Sequence, residues 1–271
     1  MARTLLILVA LLATLGGAAA ETTLQGNLVQ GGLLIGHTDP DATVVLDGRI
    51  VRVDSDGVFL LGFHRDAPAS AELTVTAPDG SVDRRSLTIA ARAYDIQRID
   101  GLPSRMVTPP PEVTERIRRE NARIAALREV DRPESQFRSG FVWPAIGRIS
   151  GVYGSQRILN GEPRQPHYGV DVAAPVGTPI KAPADGLVVL AEGDLYYTGG
   201  TVILDHGHGL SSAFLHLDSV SVKVGDRLRQ GDVLGALGAT GRVTGPHLDW
   251  RMNWFEARID PQLLVPPMPG S

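Results

Sequence analysis

The sequence predicts a mainly β protein made of two domains that a helix connects. Three observations lead to this fold class. Short runs rich in β-branched residues, separated by turn residues, fill positions 24–100 and return from position 143 onwards. Between them, positions 112–130 carry apolar residues at helical spacing. The chain of 271 residues, 43% of them hydrophobic, is also long enough to build two compact cores.

The first twenty residues, 1–20, form a separate segment. Arg3 precedes an apolar run from Leu5 to Leu15, and small residues then lead to Ala20. This order is typical of a secretory signal peptide cleaved after Ala20, and an uncleaved membrane anchor is the alternative. The mature protein is therefore expected to be exported, either to the periplasm or out of the cell, and to have no membrane span after signal cleavage.

Composition excludes several other classes. The formal net charge of −4 and the charged content of 21% give no strongly basic face, which argues against nucleic acid as the main partner. The chain has no cysteine, so disulfides and thiolate metal ligands are excluded.

Positions 21–105 are expected to form the first domain, a small antiparallel β-sandwich of about seven strands with an immunoglobulin-like character. Asp-Gly pairs at positions 47–48, 56–57 and 79–80 separate its β-branched runs. Such pairs favour tight hairpin turns because glycine accepts a positive φ. No catalytic cluster is visible in this half of the sequence.

Positions 106–140 are expected to connect the domains. The three prolines that end the run Val107–Pro111 cannot donate backbone hydrogen bonds, so extended chain is expected there. A helix is predicted from Glu112 to about Val130, with one apolar face and many arginines on the rest. We interpret this arginine-rich face as exposed to solvent, and binding of an anionic partner is the alternative. The polar segment 131–140 is interpreted as a linker.

The second half contains a candidate metal site. On an extended strand, residues two apart point to the same side, so His247 and Asp249 face one cavity, and His167 and Asp171 keep the same parity. Imidazoles and carboxylates bind zinc at about 2.0 to 2.2 Å, and a histidine without metal, such as His216, can move protons. The spacing therefore predicts one divalent cation that activates a water molecule.

The order of the motifs resembles the M23 (lysostaphin- and LytM-like) metallopeptidases over about Phe141 to Pro261. The matching segments are Trp143-Pro-Ala-Ile-Gly147, Gly151-Val-Tyr-Gly-Ser-Gln-Arg157, His167-Tyr-Gly-Val-Asp171, Gly177-Thr-Pro179, Ala184-Asp-Gly186, Asp205-His-Gly207, Phe214-Leu-His-Leu217, Val224-Gly-Asp226, Gly231 and Gly245-Pro-His-Leu248. The resemblance implies a β-sheet peptidase domain at 141–265, one Zn²⁺ ion, an open groove, and cleavage of peptide crossbridges in bacterial peptidoglycan.

The same resemblance implies roles for five residues. His167 and Asp171 correspond to two zinc ligands, and His216 and His247 to the catalytic histidines. Asp249 stands where the family has a third ligand, a histidine. A carboxylate in that place leaves the divalent centre formally neutral, which makes it a weaker Lewis acid.

Two functions remain open. The first is an exported zinc metalloendopeptidase that hydrolyses peptidoglycan crossbridges with metal-activated water. The second is a catalytically inactive domain that binds the cell wall or activates a partner hydrolase. A purely structural or adhesion module is the third and blandest alternative.

Several other residues have simpler interpretations. Aromatic residues of the second domain can line a groove but are more often packed in a core. Histidines without acidic or histidine neighbours at ligand spacing are more often structural than ligating, and the glycine-flanked pair at 206 and 208 is typical of a turn after a strand. The residues concerned are Tyr196, Tyr197, Trp250, His37, His64, His206 and His208.

Overall fold

The computed structural model describes residues 21–99, 111–159 and 161–270. The predicted signal peptide and most of the proline-rich run lie outside these residues. Within them, the one α-helix is too polar to cross a bilayer.

Seven antiparallel strands form the first domain as two sheets. One sheet has the order β1-β2-β5 and the other the order β4-β3-β6-β7, which agrees with the predicted strand number. Alternate residues of β6 are buried, so this strand turns one side to the core, whereas β5 is buried along its whole length. The strands are β1 (Thr23–Gly26), β2 (Leu33–His37), β3 (Thr43–Leu46), β4 (Arg49–Val51), β5 (Val58–Gly62), β6 (Ser70–Thr76) and β7 (Val82–Thr88).

The chain leaves the sandwich before the predicted boundary at 105. Strand β8 (Ile96–Ile99) pairs in parallel with β10 (Gln156–Leu159), which also pairs with β11 (Glu162–Pro163). This small sheet ties the end of the first domain to the second. The two domains are therefore joined by backbone hydrogen bonds as well as by the connecting segment.

The predicted helix is present as α1 (Pro111–Arg128). The sequence predicted that the arginine face of this helix is solvated. The structure instead places some of these arginines in contact with the second domain. Arg116 contacts Asp194 at 3.2 Å, and Arg123 contacts Glu192 at 2.6 Å. Both carboxylates belong to the second domain. Complementary charge and packing therefore hold the helix against that domain.

The segment 131–140 is anchored, which corrects its interpretation as a plain linker. Asp131 accepts a hydrogen bond from Nε of Arg52 at 2.8 Å. A 3₁₀-helix spans Gln136–Ser139, and the buried ring of Phe137 packs edge-on against His208. The segment thus fixes how the sandwich meets the second domain.

The second domain is built on a ten-stranded sheet, which confirms the mainly β fold class. Its main path runs β17-β14-β15-β16-β19-β12-β9, with β13, β18 and β20 paired beside it. The strands are β9 (Arg148–Gly151), β12 (Gly169–Ala173), β13 (Pro179–Lys181), β14 (Gly186–Leu195), β15 (Gly199–Gly207), β16 (Leu210–Val220), β17 (Arg227–Leu228), β18 (Val233–Leu237), β19 (Leu248–Trp254) and β20 (Ala257–Ile259). A short 3₁₀-helix spans Pro261–Leu263.

The two faces of this sheet have different partners. Val202, Phe214 and Trp250 lie in one cross-strand row and are completely buried in the main core. The adjacent row, Ile203, Ala213 and Arg251, points to the opposite face. On that face Ile203 and Ala213 pack with Ile124 and Leu127 of α1. The helix therefore lies on the same face as Arg251 and its neighbours.

Candidate metal centre

Strand pairing brings the two candidate carboxylates together. Asp171 of β12 lies directly opposite Asp249 of β19 in the antiparallel register. Side chains at opposed positions point to the same face of a sheet. Room for both comes from Gly151 and Gly169, since a Cβ at Gly151 would overlap Asp171 and one at Gly169 would overlap Oδ1 of Asp249.

Three predicted ligands form one compact cluster. Nε2 of His167, which precedes β12, lies 3.1 Å from Oδ1 of Asp171. One donor atom from each of His167, Asp171 and Asp249 lies within 4.8 Å of the others. Two ligands held at about 2.0–2.1 Å on a tetrahedral ion are about 3.3 Å apart, close to the observed separation. The structure thus brings the three residues together as predicted.

The donor atoms have the surroundings that a metal requires. Nε2 of His167 and Oδ1 of Asp171 are buried, and neither has a hydrogen-bond partner among the described residues, although they face one another. Buried polar atoms are normally satisfied, so such a pair requires an explanation. A divalent cation bound between them supplies one, and the donor set suits zinc.

Asp249 differs from the other two ligands because it is already paired. Nε of Arg251 donates to both of its oxygens, at 3.1 Å to Oδ1 and 3.0 Å to Oδ2, and Nη2 donates to Oδ2 at 2.6 Å. A carboxylate offers about four lone pairs, so an ion can still bind Oδ1. The cluster fits a metal, with one ligand shared between the ion and a guanidinium.

The charges within the cluster shift its titration. Burial alone would raise the pKa of Asp249, but Arg251 and then His167 outweigh it and lower the pKa to about 2. Burial opposes protonation of His167, yet the carboxylates of Asp171 and Asp249 raise its pKa above the ordinary value. Asp249 is therefore ionised at neutral pH. A proton competes with a metal ion for the imidazole of His167.

A β-bulge aims His216 at the cluster. Between the pairs Val202–Phe214 and Gly200–Leu217, β16 has two residues where β15 has one. One of these two residues is His216, whose φ of +67° is in the left-handed region. Bulges redirect side chains and are common beside active sites, and strained backbone of this kind is retained where the surroundings hold it. The bulge explains how a strand residue reaches the site.

The two candidate catalytic rings are oriented alike. Nδ1 of His216 lies 2.9 Å from the carbonyl of Thr240, and Nδ1 of His247 lies 2.8 Å from that of Gly245. A carbonyl accepts only from N–H, so each ring has its proton on Nδ1 and a free lone pair on Nε2. The ring centroids are 5.0 Å apart, and Nε2 of His247 lies 3.8 Å from Oδ1 of Asp171.

Comparison with known proteins identifies this domain. The sequence profile for peptidase family M23 matches residues 165–261. A crystal structure from Pseudomonas aeruginosa assigned to peptidase M23 is 31% identical; the alignment covers 88% of this chain and 95% of that one, with a TM-score of 0.68. The chain belongs to peptidase family M23.

Two named relatives are also similar to part of this chain. The peptidoglycan DD-endopeptidase ShyA of Vibrio cholerae is 39% identical over 39% of this chain and 24% of its own length. The cell division protein DipM of Caulobacter vibrioides is 33% identical over 46% of this chain and 21% of its own. The match thus spans about a quarter of the length of these relatives.

The other predicted candidates in this domain make contacts outside the metal cluster. Trp250 is fully buried on the opposite face of the sheet, so its role is packing. Tyr196 and Tyr197 contact one another edge-on, and the guanidinium of Arg242 stacks on Tyr197. The buried His206 contacts Asp185 and Ser212 through its two nitrogens. None of these contacts involves a predicted ligand.

Sequence reasoning missed Arg251. The signal was present, because a residue two positions after Asp249 on a strand must share its face. Only the contacts show that this arginine is paired with the unusual ligand rather than exposed to solvent.

Proposed function

We propose that this protein is an exported zinc-dependent endopeptidase that hydrolyses peptide crossbridges of bacterial peptidoglycan. Membership of family M23 and the similarity to a peptidoglycan DD-endopeptidase support the substrate class. The observation that carries the proposal is the pair of unsatisfied donor atoms on His167 and Asp171, with Asp249 completing the cluster. The signal-like segment 1–20 supports export.

The protein residues have distinct tasks in this reaction. His167, Asp171 and Asp249 would hold the ion, which would polarise the crossbridge carbonyl and make a water molecule acidic near neutral pH. Burial lowers the pKa of His216, so its ring is neutral at pH 7 and its free Nε2 can accept a proton. The protonated His216 can then give this proton to the leaving amine. His247 presents a second Nε2 beside it, where its ring would assist proton movement and charge stabilisation.

A second function has support from two observations. Arg251 already pairs with Asp249, and α1 packs on the face of the sheet that carries the cluster. A domain that binds wall peptide, or that activates a partner hydrolase, would need neither a strong Lewis acid nor an open groove. The two functions differ in whether the protein releases peptides from peptidoglycan.

The deciding experiment uses purified protein from residue 21 onward. Zinc content is measured by mass spectrometry, and release of peptides from purified peptidoglycan is followed for wild type, His167→Ala and His37→Ala. His37 is an exposed histidine of the first domain and serves as the matched control. We expect about one zinc per chain and turnover in wild type and His37→Ala, and loss of both in His167→Ala.

Two other outcomes would reject the peptidase. Wild type that binds no metal and releases nothing with any divalent ion favours the binding or activating function. Equal release by wild type and His167→Ala would mean that the activity does not depend on this cluster. In the first case, addition of the protein to a separate wall hydrolase tests the activating function directly.

A further inference from the structure

Arg251 is the charged residue in closest contact with the unusual ligand. It follows Asp249 by two positions on β19, and its cross-strand neighbour is Gly169. A side chain at position 169 would overlap Cγ of Arg251 as well as Asp249, so the glycine leaves room for the pair. The forked guanidinium then approaches the carboxylate edge-on, with three N–H···O contacts of 2.6 to 3.1 Å.

The pair lies in an environment that strengthens it. The side chain of Asp249 is only 3% exposed, and a buried carboxylate without a partner is strongly destabilising. Two further arginines, Arg128 of α1 and Arg258 of β20, lie close enough to Arg251 for their charges to repel. Burial, Arg258 and Arg251 lower the pKa of Arg128 to about 9. This repulsion and the opposite charge of Asp249 both favour the contact of Arg251 with Asp249.

Charge balance gives this contact a role in the metal centre. A divalent ion held by Asp171 and Asp249 is formally neutral, whereas a centre with two histidines and one carboxylate carries one positive charge. The guanidinium of Arg251 restores that positive charge from outside the ligand shell. Before metal binds, the same guanidinium neutralises Asp249, so the metal-free cluster does not contain an uncompensated buried anion.

We propose that Arg251 is a positioning residue and counter-cation for the metal centre. It holds the carboxylate of Asp249 in place, stabilises the metal-free cluster, and keeps the loaded centre positive. This inference rests on the proposed function in assuming that the cluster binds zinc. It predicts an unusual combination of effects, because a cation next to a metal ligand weakens metal binding by repulsion while it strengthens the Lewis acid.

The test compares zinc affinity, thermal stability and turnover in variants of the mature protein. Arg251→Met removes the charge at similar volume, and Arg251→Lys retains the charge without the fork. Arg258→Met is the matched control, because Arg258 is a neighbouring buried arginine whose hydrogen bond goes to Asn253 rather than to Asp249. Zinc affinity is measured by competition with a chelator, and the melting temperature is measured with and without zinc.

For Arg251→Met we expect the metal-free protein to melt at a lower temperature, zinc to bind at least about tenfold more tightly, and kcat to fall. Arg251→Lys should keep a zinc affinity close to that of wild type, and Arg258→Met should change it less than Arg251→Met does. A residue that only supported the fold would not tighten zinc binding. Unchanged or weaker zinc binding by Arg251→Met would overturn the proposal.

A double variant guards against a folding failure. Asp249→Asn combined with Arg251→Met removes both charges, so the metal-free protein should recover most of the lost stability. No recovery would also count against the proposal. Zinc binding without turnover in wild type would reject the peptidase but leave the role of Arg251 intact. Turnover in wild type, with equal zinc affinities in wild type and Arg251→Met, would support the peptidase and reject the role of Arg251. Absence of zinc binding in every variant would reject both.

Discussion

Two groups of histidines in the second domain have opposite surroundings. His206 is completely buried, with Nδ1 2.6 Å from the carbonyl of Asp185 and Nε2 2.8 Å from the hydroxyl of Ser212. His167 is also shielded, but its Nε2 has no hydrogen-bond partner among the residues that the structure describes. One histidine is therefore a core residue with both nitrogens hydrogen-bonded, whereas the other has a ring nitrogen without a hydrogen-bond partner.

The comparison shows what separates a structural histidine from a functional one. An imidazole has two nitrogens, and the core histidine His206 uses both within the protein. His216 and His247 each use only Nδ1, on a backbone carbonyl, and this leaves Nε2 available for chemistry. The number of nitrogens satisfied by the protein is thus the property that the following predictions test.

The largest effect is expected from removing a ring that has a free nitrogen. His216→Asn keeps a residue that tolerates the positive φ of this position but removes the proton acceptor. We expect kcat for peptidoglycan peptide release to fall about 100- to 10,000-fold with little change in melting temperature. His206→Asn should do the opposite, with a clear loss of stability and nearly normal kcat per folded molecule. Similar kinetic losses in both variants would break the comparison.

The second-largest effect is expected from adding a methyl group beside the metal cluster without changing any histidine. A Cβ at Gly169 would overlap Oδ1 of Asp249, so Gly169→Ala should displace this ligand. Zinc affinity, measured by chelator competition, is expected to fall about 10- to 100-fold, as for loss of a residue that orients a ligand. Gly193→Ala on β14 is the control, because its Cβ would meet open space. Equal affinities in the two variants would contradict the geometry.

The sequence predicted much of this arrangement because strand parity and spacing are local properties. The register places Asp171 opposite Asp249 on one face, and His167 and His247, which precede the two strands, contact Asp171 from the same side as their parity predicts. The bulge at His216 could not be read in the same way, because it depends on which strands are neighbours and on their register, which the sequence pattern leaves open. Parity places Arg251 on the face of Asp249, but their contact depends on the room that Gly169 leaves on the neighbouring strand.

The helix and linker show the same limit. The extent of α1 follows from its periodicity, and the predicted end at Val130 lies close to the observed end at Arg128. Its position on the cluster-bearing face depends on acidic residues of a distant hairpin, Glu192 and Asp194. Contacts between residues so far apart in the sequence have no local signal. For the same reason the sequence did not predict the contacts that anchor segment 131–140.

A pH titration of stability should separate the satisfied histidine from the others. Burial lowers the pKa of His206 to about 4, whereas in the unfolded chain it titrates near 6.5. Between these values only the unfolded state binds the proton, so the stabilisation is complete above pH 6.5 and is lost as the pH falls towards 4. The loss reaches about 3 kcal/mol. Denaturant unfolding of wild type and His206→Gln should show this difference, and parallel pH profiles would contradict it.

The smallest effect concerns His208, whose Nε2 lies 3.3 Å from the hydroxyl of Ser135. That hydroxyl also donates to Asp54 of the first domain at 2.6 Å, so the serine links both domains through the anchored segment. Ser135→Ala is expected to lower the free energy of unfolding by about 1 kcal/mol, while zinc affinity stays unchanged. The control is Ser86→Ala on an exposed face of β7. A change in zinc affinity with Ser135→Ala would show that His208 is coupled to the metal cluster, which this contact does not predict.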